Sequence, residues 1–318
     1  MRIVDASTSK TASTRVSVFC ACWPPGPLER ENLSSISPSG SSRAFRSLSW
    51  TRSVSAPMAA ILLDIDGVLH VSGEAIPGAA EAVEALRSDG HALRLVTNNT
   101  TRARWKLAAE LRSLGIDVAE SEIATTPLAA GRLLEGLRVL ALTMDSVKED
   151  LARHVDLVDD GAEVVLVGGA DESDETDEVF RYDHLNRAFA QLRDGARLVC
   201  LHKNRWWQTA RGPLLDAGAF VAGLEYAAGV DAEVVGKPTA AYFEAALAEL
   251  GARAEDATMV GDDIEADVGA AKRLGMRGVL VRTGKFRRED LAAADPRPDA
   301  VIDSIAELPK YLRESPGR

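Results

Sequence analysis

The sequence predicts an α/β fold: a Rossmann-like parallel-sheet core with a second α/β domain inserted into it. Three observations carry that prediction. Short apolar runs such as "ILLD", "ALRLV" and "GVLV" lack polar alternation, as strands buried on both faces do. Segments with helical spacing separate these runs, and strand–helix alternation implies a parallel sheet covered on both sides. The alternation that begins at Met58 gives way to a second, self-sufficient set and then resumes. These divisions place the core at 58–136 and 232–318, the inserted domain at 137–231, and an N-terminal extension at 1–57.

After the first strand, "IPGAAEAVEALRSDG" reads as a helix, with Pro77 near its start and Gly90 past its end. "ALRLVTNNT" is the next strand. "TRARWKLAAELRSLG" follows as a helix in which Leu107, Ala108, Leu111 and Leu114 share a face, capped by Thr100 or Thr101. "EIATT" and "PLAAGRLLEG" extend the pattern. In the insert, "RVLALT", "DSVKEDLARHV", "EVVLVGG", "YDHLNRAFAQLRDG" and "RLVCLH" read as strand, helix, strand, helix, strand. The intervening "ADESDETDEVF" reads as an acidic surface loop, because it lacks the glycine and spacing of a calcium loop. "AEVVGKP", "AAYFEAALAELG", "ATMVGDDIEADVGAAKRLG" and "GVLVRTG" then resume the core.

Composition narrows the function classes. The 318 residues carry a net charge of −11, which argues against nucleic acid or an anionic membrane as partner. No apolar run approaches the roughly 20 residues of a membrane helix. Cysteines 20, 22 and 200 form neither a disulfide framework nor a CxxC site, and Cys200 reads as a core thiol. The first 57 residues hold 14 serines, seven Lys or Arg and three acids, without periodicity, and so read as disordered. They read as an over-extended start, with translation beginning at Met58 and a cytoplasmic protein as the product; their composition also suits an organelle transit peptide.

Polar residues at strand ends supply the candidate chemistry. Asp64 and Asp66 end the first apolar run, two like charges close enough to repel unless a cation lies between them. Gly67 lets the chain turn there. Thr97 and Asn98 end the second strand, and Lys237 follows "VVG". Asp262 and Asp263 end "ATMVG", with Asp267 at i,i+4 from Asp263 on the helix that follows. In open α/β sheets ligands bind at the carboxyl ends of strands.

"DIDGVL", "VTNN", "VVGKP" and "GDDIEADVGAA" resemble the four ordered motifs of the haloacid dehalogenase superfamily of phosphohydrolases. An insert between the second and third motifs resembles the class II cap of the p-nitrophenylphosphatase-like branch. "LHKNRWW", "LEYAAGVDAEVVGKP" and "VRTGKF" resemble one subgroup of that branch, some members of which act on inorganic pyrophosphate, phospholysine and phosphohistidine. Members of that subgroup often carry serine in place of Asp66.

The resemblance implies a Mg²⁺-dependent phosphatase of small phosphorylated metabolites. Asp64 would attack phosphorus to give an aspartyl-phosphate, and Asp66 would serve as general acid and then base. Asp64 and Asp262 carboxylates and the Asp66 backbone carbonyl would hold the cation, with Asp263 and Asp267 orienting the ligands. Thr97, the Asn98 amide and Lys237 would bind the phosphoryl group. Asp66 favours a phosphatase over a dehalogenase, which does not use that second carboxylate. His202, Lys203 and Arg205, beside Trp206 and Trp207, would face the substrate from the cap. Cleavage of pyrophosphate or of phospholysine and phosphohistidine is the alternative activity, and a regulatory phosphate-binding protein a third reading. Related caps also pair into homodimers.

Overall fold

The computed structural model describes residues 59–209 and 212–314. The extension predicted over 1–57, with Cys20 and Cys22, lies outside them.

The first strand in the chain, Ala60–Asp64, sits in the interior of a six-stranded parallel sheet. Ala92–Thr97 and Ile123–Thr125 add on one side of it; Ala257–Gly261, Arg277–Val281 and Ala300–Ile302 add on the other. Chain direction across the sheet therefore reverses at Ala60–Asp64, and such a reversal opens a crevice at the carboxyl ends of the strands. Alternate residues of this strand feed opposite layers. Ile61 and Leu63 pack with Val83, Leu86, Leu107 and Leu111 on one face, whereas Leu62 packs with Tyr242, Phe243 and Met259 on the other. All are nearly inaccessible to solvent, as the unbroken apolar run requires.

A second parallel sheet has the order Glu233–Val234, Arg197–Cys200, Val164–Val167, Arg138–Leu142, Asp156–Leu157. Its Val139, Leu166 and Val199 belong to the same continuous apolar cluster as Leu62 and Met259. The α/β class with parallel sheets is thus as the sequence predicts. Cys200 is fully buried in this layer, and burial pushes its thiol up to about 11, which suits an inert core residue.

Local differences have identifiable causes. Neither Thr100 nor Thr101 caps the helix Arg104–Ser113; its first amide, Arg104 N–H, donates instead to Asp150 Oδ2 at 2.9 Å, from a helix 46 residues on. The acidic segment predicted as a loop contains the helix Asp174–Val179, whose first turn carries acids that the helix dipole favours. "RWW" leads into a hairpin, Trp206–Thr209 against Gly212–Leu215. Glu233–Val234, expected in the core sheet, pairs with Arg197–Cys200 of the second sheet. Trp105 is 44% exposed and donates to Glu149. No described helix is long and apolar enough to cross a membrane.

Candidate active site

Asp64 is the last residue of the central strand and is only 5% exposed. Lys237, also buried, places Nζ 2.7 Å from Asp64 Oδ1 and 2.7 Å from Asp267 Oδ1. Burial raises the Asp64 pKa and Lys237 pulls it back down. Burial would lower the Lys237 pKa, but the carboxylates of Asp267 and Asp64 override it and hold the ammonium well above its ordinary range. Asp267, buried and facing the Asp64 charge, is pushed up to about 7. The ammonium thus compensates two carboxylates that could not otherwise be buried together.

Asp66 lies beyond the strand end with its side chain 65% exposed, so the chain turns it towards solvent while Asp64 stays inside. Its Oδ2 accepts from Thr97 Oγ1 at 3.3 Å, and His70 Nε2 lies 3.8 Å from Oδ1. The Thr97 backbone is clamped from behind. Its N–H donates to the buried Tyr242 hydroxyl at 2.9 Å, and that hydroxyl reaches Thr97 O at 2.9 Å and Ala124 O at 2.8 Å. The Asn98 side chain faces Lys237: its Oδ1 accepts Lys237 N–H at 2.9 Å and its Nδ2 donates to Lys237 O at 3.1 Å. Asn98 therefore joins two strand-end loops 139 residues apart.

Asp262 follows the strand Ala257–Gly261 and is 3% exposed, and burial pushes its carboxyl up to about 6. Lys285 N–H donates to its Oδ2 at 2.7 Å, while Oδ1 is buried with no hydrogen-bond partner. Asp263 does different work. Its Oδ1 accepts from Glu265 N at 3.1 Å and Ala266 N at 2.9 Å, capping the turn that follows, and its pKa is lowered by these amides and Lys285 against the raising effect of burial. That turn, Ile264–Gly269, is a π-helix where the i,i+4 spacing predicts an α-helix. Such widened turns are frequent at functional sites, and this one carries Asp267 Oδ2 within 3.3 Å of Asp263 N.

One oxygen from each of Asp64, Asp262 and Asp267 lies within 4.8 Å of the others. An all-oxygen, anionic donor set suits a hard divalent cation. The unpartnered Asp262 Oδ1 fits a cation that supplies the missing partner. Asp267 has both oxygens engaged, Oδ1 by Lys237 and Oδ2 by the Asp263 N–H, whereas Asp64 gives only Oδ1 to Lys237, so Asp64 and Asp262 are the better-placed donors.

His202, Lys203 and Arg205 separate. His202 is buried, with Nε2 3.6 Å from Asp216 Oδ1, and a Cβ on Gly169 would meet both His202 and Thr100. His202 thus lies where a loop of the second sheet packs on the core loop after Asn98. Lys203 is partly exposed and pairs with Glu225 at 2.7 Å; Arg205 and Trp206 are exposed. Sequence patterns did not point to Tyr242, whose role depends on a hydroxyl meeting a loop 145 residues away. Thr283, Gly284 and Lys285 were visible only as part of "VRTGKF", and nothing in that string shows that it wraps Asp262.

Two family models match the chain: "Haloacid dehalogenase-like hydrolase" over residues 61–157 and an HAD-hydrolase-like model over residues 234–308. The chain is 40% identical over 255 residues to human haloacid dehalogenase-like hydrolase domain-containing protein 2, covering 80% of this chain and 95% of that protein. It is 39% identical over 260 residues to phospholysine phosphohistidine inorganic pyrophosphate phosphatase of Bos taurus, covering 79% and 93%. Among solved structures it is similar to a glycerol phosphate phosphatase from Mycobacterium tuberculosis in complex with magnesium. That likeness has a TM-score of 0.70 and 27% identity, and it covers 80% of this chain and 77% of the other.

Proposed function

The chain belongs to the haloacid dehalogenase-like hydrolase family, and on that premise we propose that it is a Mg²⁺-dependent phosphatase of small phosphorylated metabolites. The observation that carries this reading is Asp64, held by Lys237, beside an Asp262 carboxylate with one oxygen left unpartnered.

Asp64 would attack phosphorus through the oxygen not bonded to Lys237. An Asp64–phosphorus bond forms as the bond to the leaving oxygen breaks, and Asp66 gives that oxygen its proton. Asp66, now a carboxylate, takes a proton from water, which attacks phosphorus and frees Asp64 and inorganic phosphate. The exposure of Asp66 supports this exchange, since it can meet both a leaving group and water. Asp64, Asp262 and the Asp66 backbone carbonyl would hold Mg²⁺. When bound, the cation draws charge from the phosphoryl oxygens and offsets the clustered carboxylates. Thr97 and the Asn98 amide would bind the phosphoryl oxygens, with Lys237 balancing developing charge. Tyr242 and Asn98 support that role by fixing the two loops.

The second sheet would act as the cap that selects the substrate, with Arg205 and the neighbouring hairpin reaching the substrate body. Its support is the packing of the Gly169 and His202 loops on the core loop at Thr100. Pyrophosphate or phosphoamide cleavage is the second reading, favoured by the 39% identity to a protein named for those substrates. Assay of p-nitrophenyl phosphate, pyrophosphate and a panel of phosphorylated metabolites, with Mg²⁺ and then with EDTA, tests both. Turnover unchanged in EDTA, or retained in Asp64→Asn, refutes the proposed mechanism.

A further inference from the structure

Two glycine turns from opposite ends of the core sequence close on one oxygen of Asp262. Gly67 has φ 82° and Gly284 has φ 64°. A Cβ on Gly67 would lie 1.9 Å from Asp262 Oδ2, and one on Gly284 would lie 2.0 Å from it, so neither position tolerates a side chain as built. The same Oδ2 receives the Lys285 backbone N–H at 2.7 Å. The two turns are joined to each other, because the Thr283 hydroxyl donates to the Gly67 carbonyl. The other oxygen, Oδ1, stays buried without a partner.

We propose that Thr283–Gly284–Lys285 is a positioning element for the divalent cation. It holds Asp262 by Oδ2 so that Oδ1 is presented, and through Thr283 it ties that carboxylate to the turn carrying Asp64 and Asp66. The inference rests on the metal-dependent reading above. A carboxylate with two free oxygens has to be ordered when it takes a cation; one already held by an amide and two close backbones does not. Partners that orient a ligating carboxylate typically change metal affinity by about 10–100-fold when removed. The Lys285 side chain is not part of this contact, since its main-chain amide makes the bond. Thr283 and Gly284 are therefore the positions where substitution reads it.

Mg²⁺ binding to the full chain, measured by calorimetry, tests the proposal in Thr283→Val, Thr283→Ser and Gly284→Ala. Thr283→Val keeps the shape and removes the donor, so affinity should fall by about tenfold. Thr283→Ser keeps the donor and should stay within about twofold of the parent. Gly284→Ala should fall at least as far as Thr283→Val, because its methyl displaces Oδ2. The Mg²⁺ concentration for half-maximal p-nitrophenyl phosphate turnover should rise in step, with kcat at saturating Mg²⁺ close to the parent for Thr283→Val. The rise in Tm on adding Mg²⁺ reads the same coupling without turnover, and should shrink in Thr283→Val. Parent-like affinity and Tm rise in Thr283→Val overturn the role of the turn. Absence of Mg²⁺ binding by the parent chain overturns instead the metal-dependent reading on which it rests.

Discussion

Lys237 Nζ stands 2.7 Å from Asp64 Oδ1, across 173 residues of sequence. Both side chains are buried, at 4% and 7% exposure, so the charge of each depends on the other and on Asp267. Removing one member of a buried ionic group leaves the rest uncompensated, which costs more than the pair contributes. Lys237→Met should therefore weaken folding by about 3–5 kcal/mol in EDTA, and abolish measurable turnover. Urea unfolding of parent and variant checks the first part; a loss below about 1 kcal/mol would mean the carboxylates are not relying on the ammonium.

Asp66 is exposed and bonded only weakly to Thr97, so its substitution should leave the fold intact. As general acid it matters most where the leaving group is basic. Asp66→Ser should lower kcat/KM for an alkyl phosphate at least about tenfold more than for p-nitrophenyl phosphate. Equal losses on the two esters would point to a disturbed cation site rather than a lost proton donor.

Tyr242 offers a cleaner test of loop positioning. Its hydroxyl serves Thr97 N, Thr97 O and Ala124 O, and burial raises its pKa, so it remains a neutral donor. Tyr242→Phe preserves the ring and removes the hydroxyl's bonds to those backbone groups, at a cost of about 1–3 kcal/mol. Turnover should fall as well, because Thr97 and Asn98 lose their support. A variant with parent stability and rate would show that water replaces the hydroxyl without loss.

His202 gives the fold a pH dependence. Burial lowers its pKa from 6.5, opposed by Asp216. The unfolded chain then binds a proton that the folded chain resists. Stability from this residue is complete above the unfolded value, about 6.5, and is lost as pH falls from there through the lower folded value. His202→Gln should flatten that loss, so that the parent-minus-variant stability difference narrows from pH 8 to pH 5. Parallel stability curves for parent and variant would remove His202 from the account.

Much of this molecule was legible along the chain because its signals are local. Short apolar runs of four to six residues, bounded by turn signals, read as buried strands, and the acids, threonine, asparagine and lysine that follow them fall at carboxyl ends. Asp64, Thr97, Asn98, Lys237 and Asp262 were singled out that way; in the structure Lys237 bonds both Asp64 and Asn98, and Asp262 offers an oxygen within 4.8 Å of one from Asp64. The second alternating set was legible, and its strands form a sheet of their own, although Glu233–Val234 joined that sheet rather than the six-stranded one. A two-residue strand carries too little pattern to say which edge it joins.

Tertiary structure alone decided which oxygen of each carboxylate is spoken for. Lys237 takes Oδ1 of Asp64 and of Asp267, and Lys285 N–H takes Oδ2 of Asp262. It decided that Tyr242 fixes Thr97, that Asp150 caps a helix predicted to be capped by threonine, and that Asp267 rides on a π turn. Apart from the π turn, each of these is a contact between segments tens to nearly two hundred residues apart. Periodicity reports which face of an element is buried, because the backbone repeats every two or every 3.6 residues. It carries no record of which distant atom will meet that face, since that depends on the packing of the whole sheet.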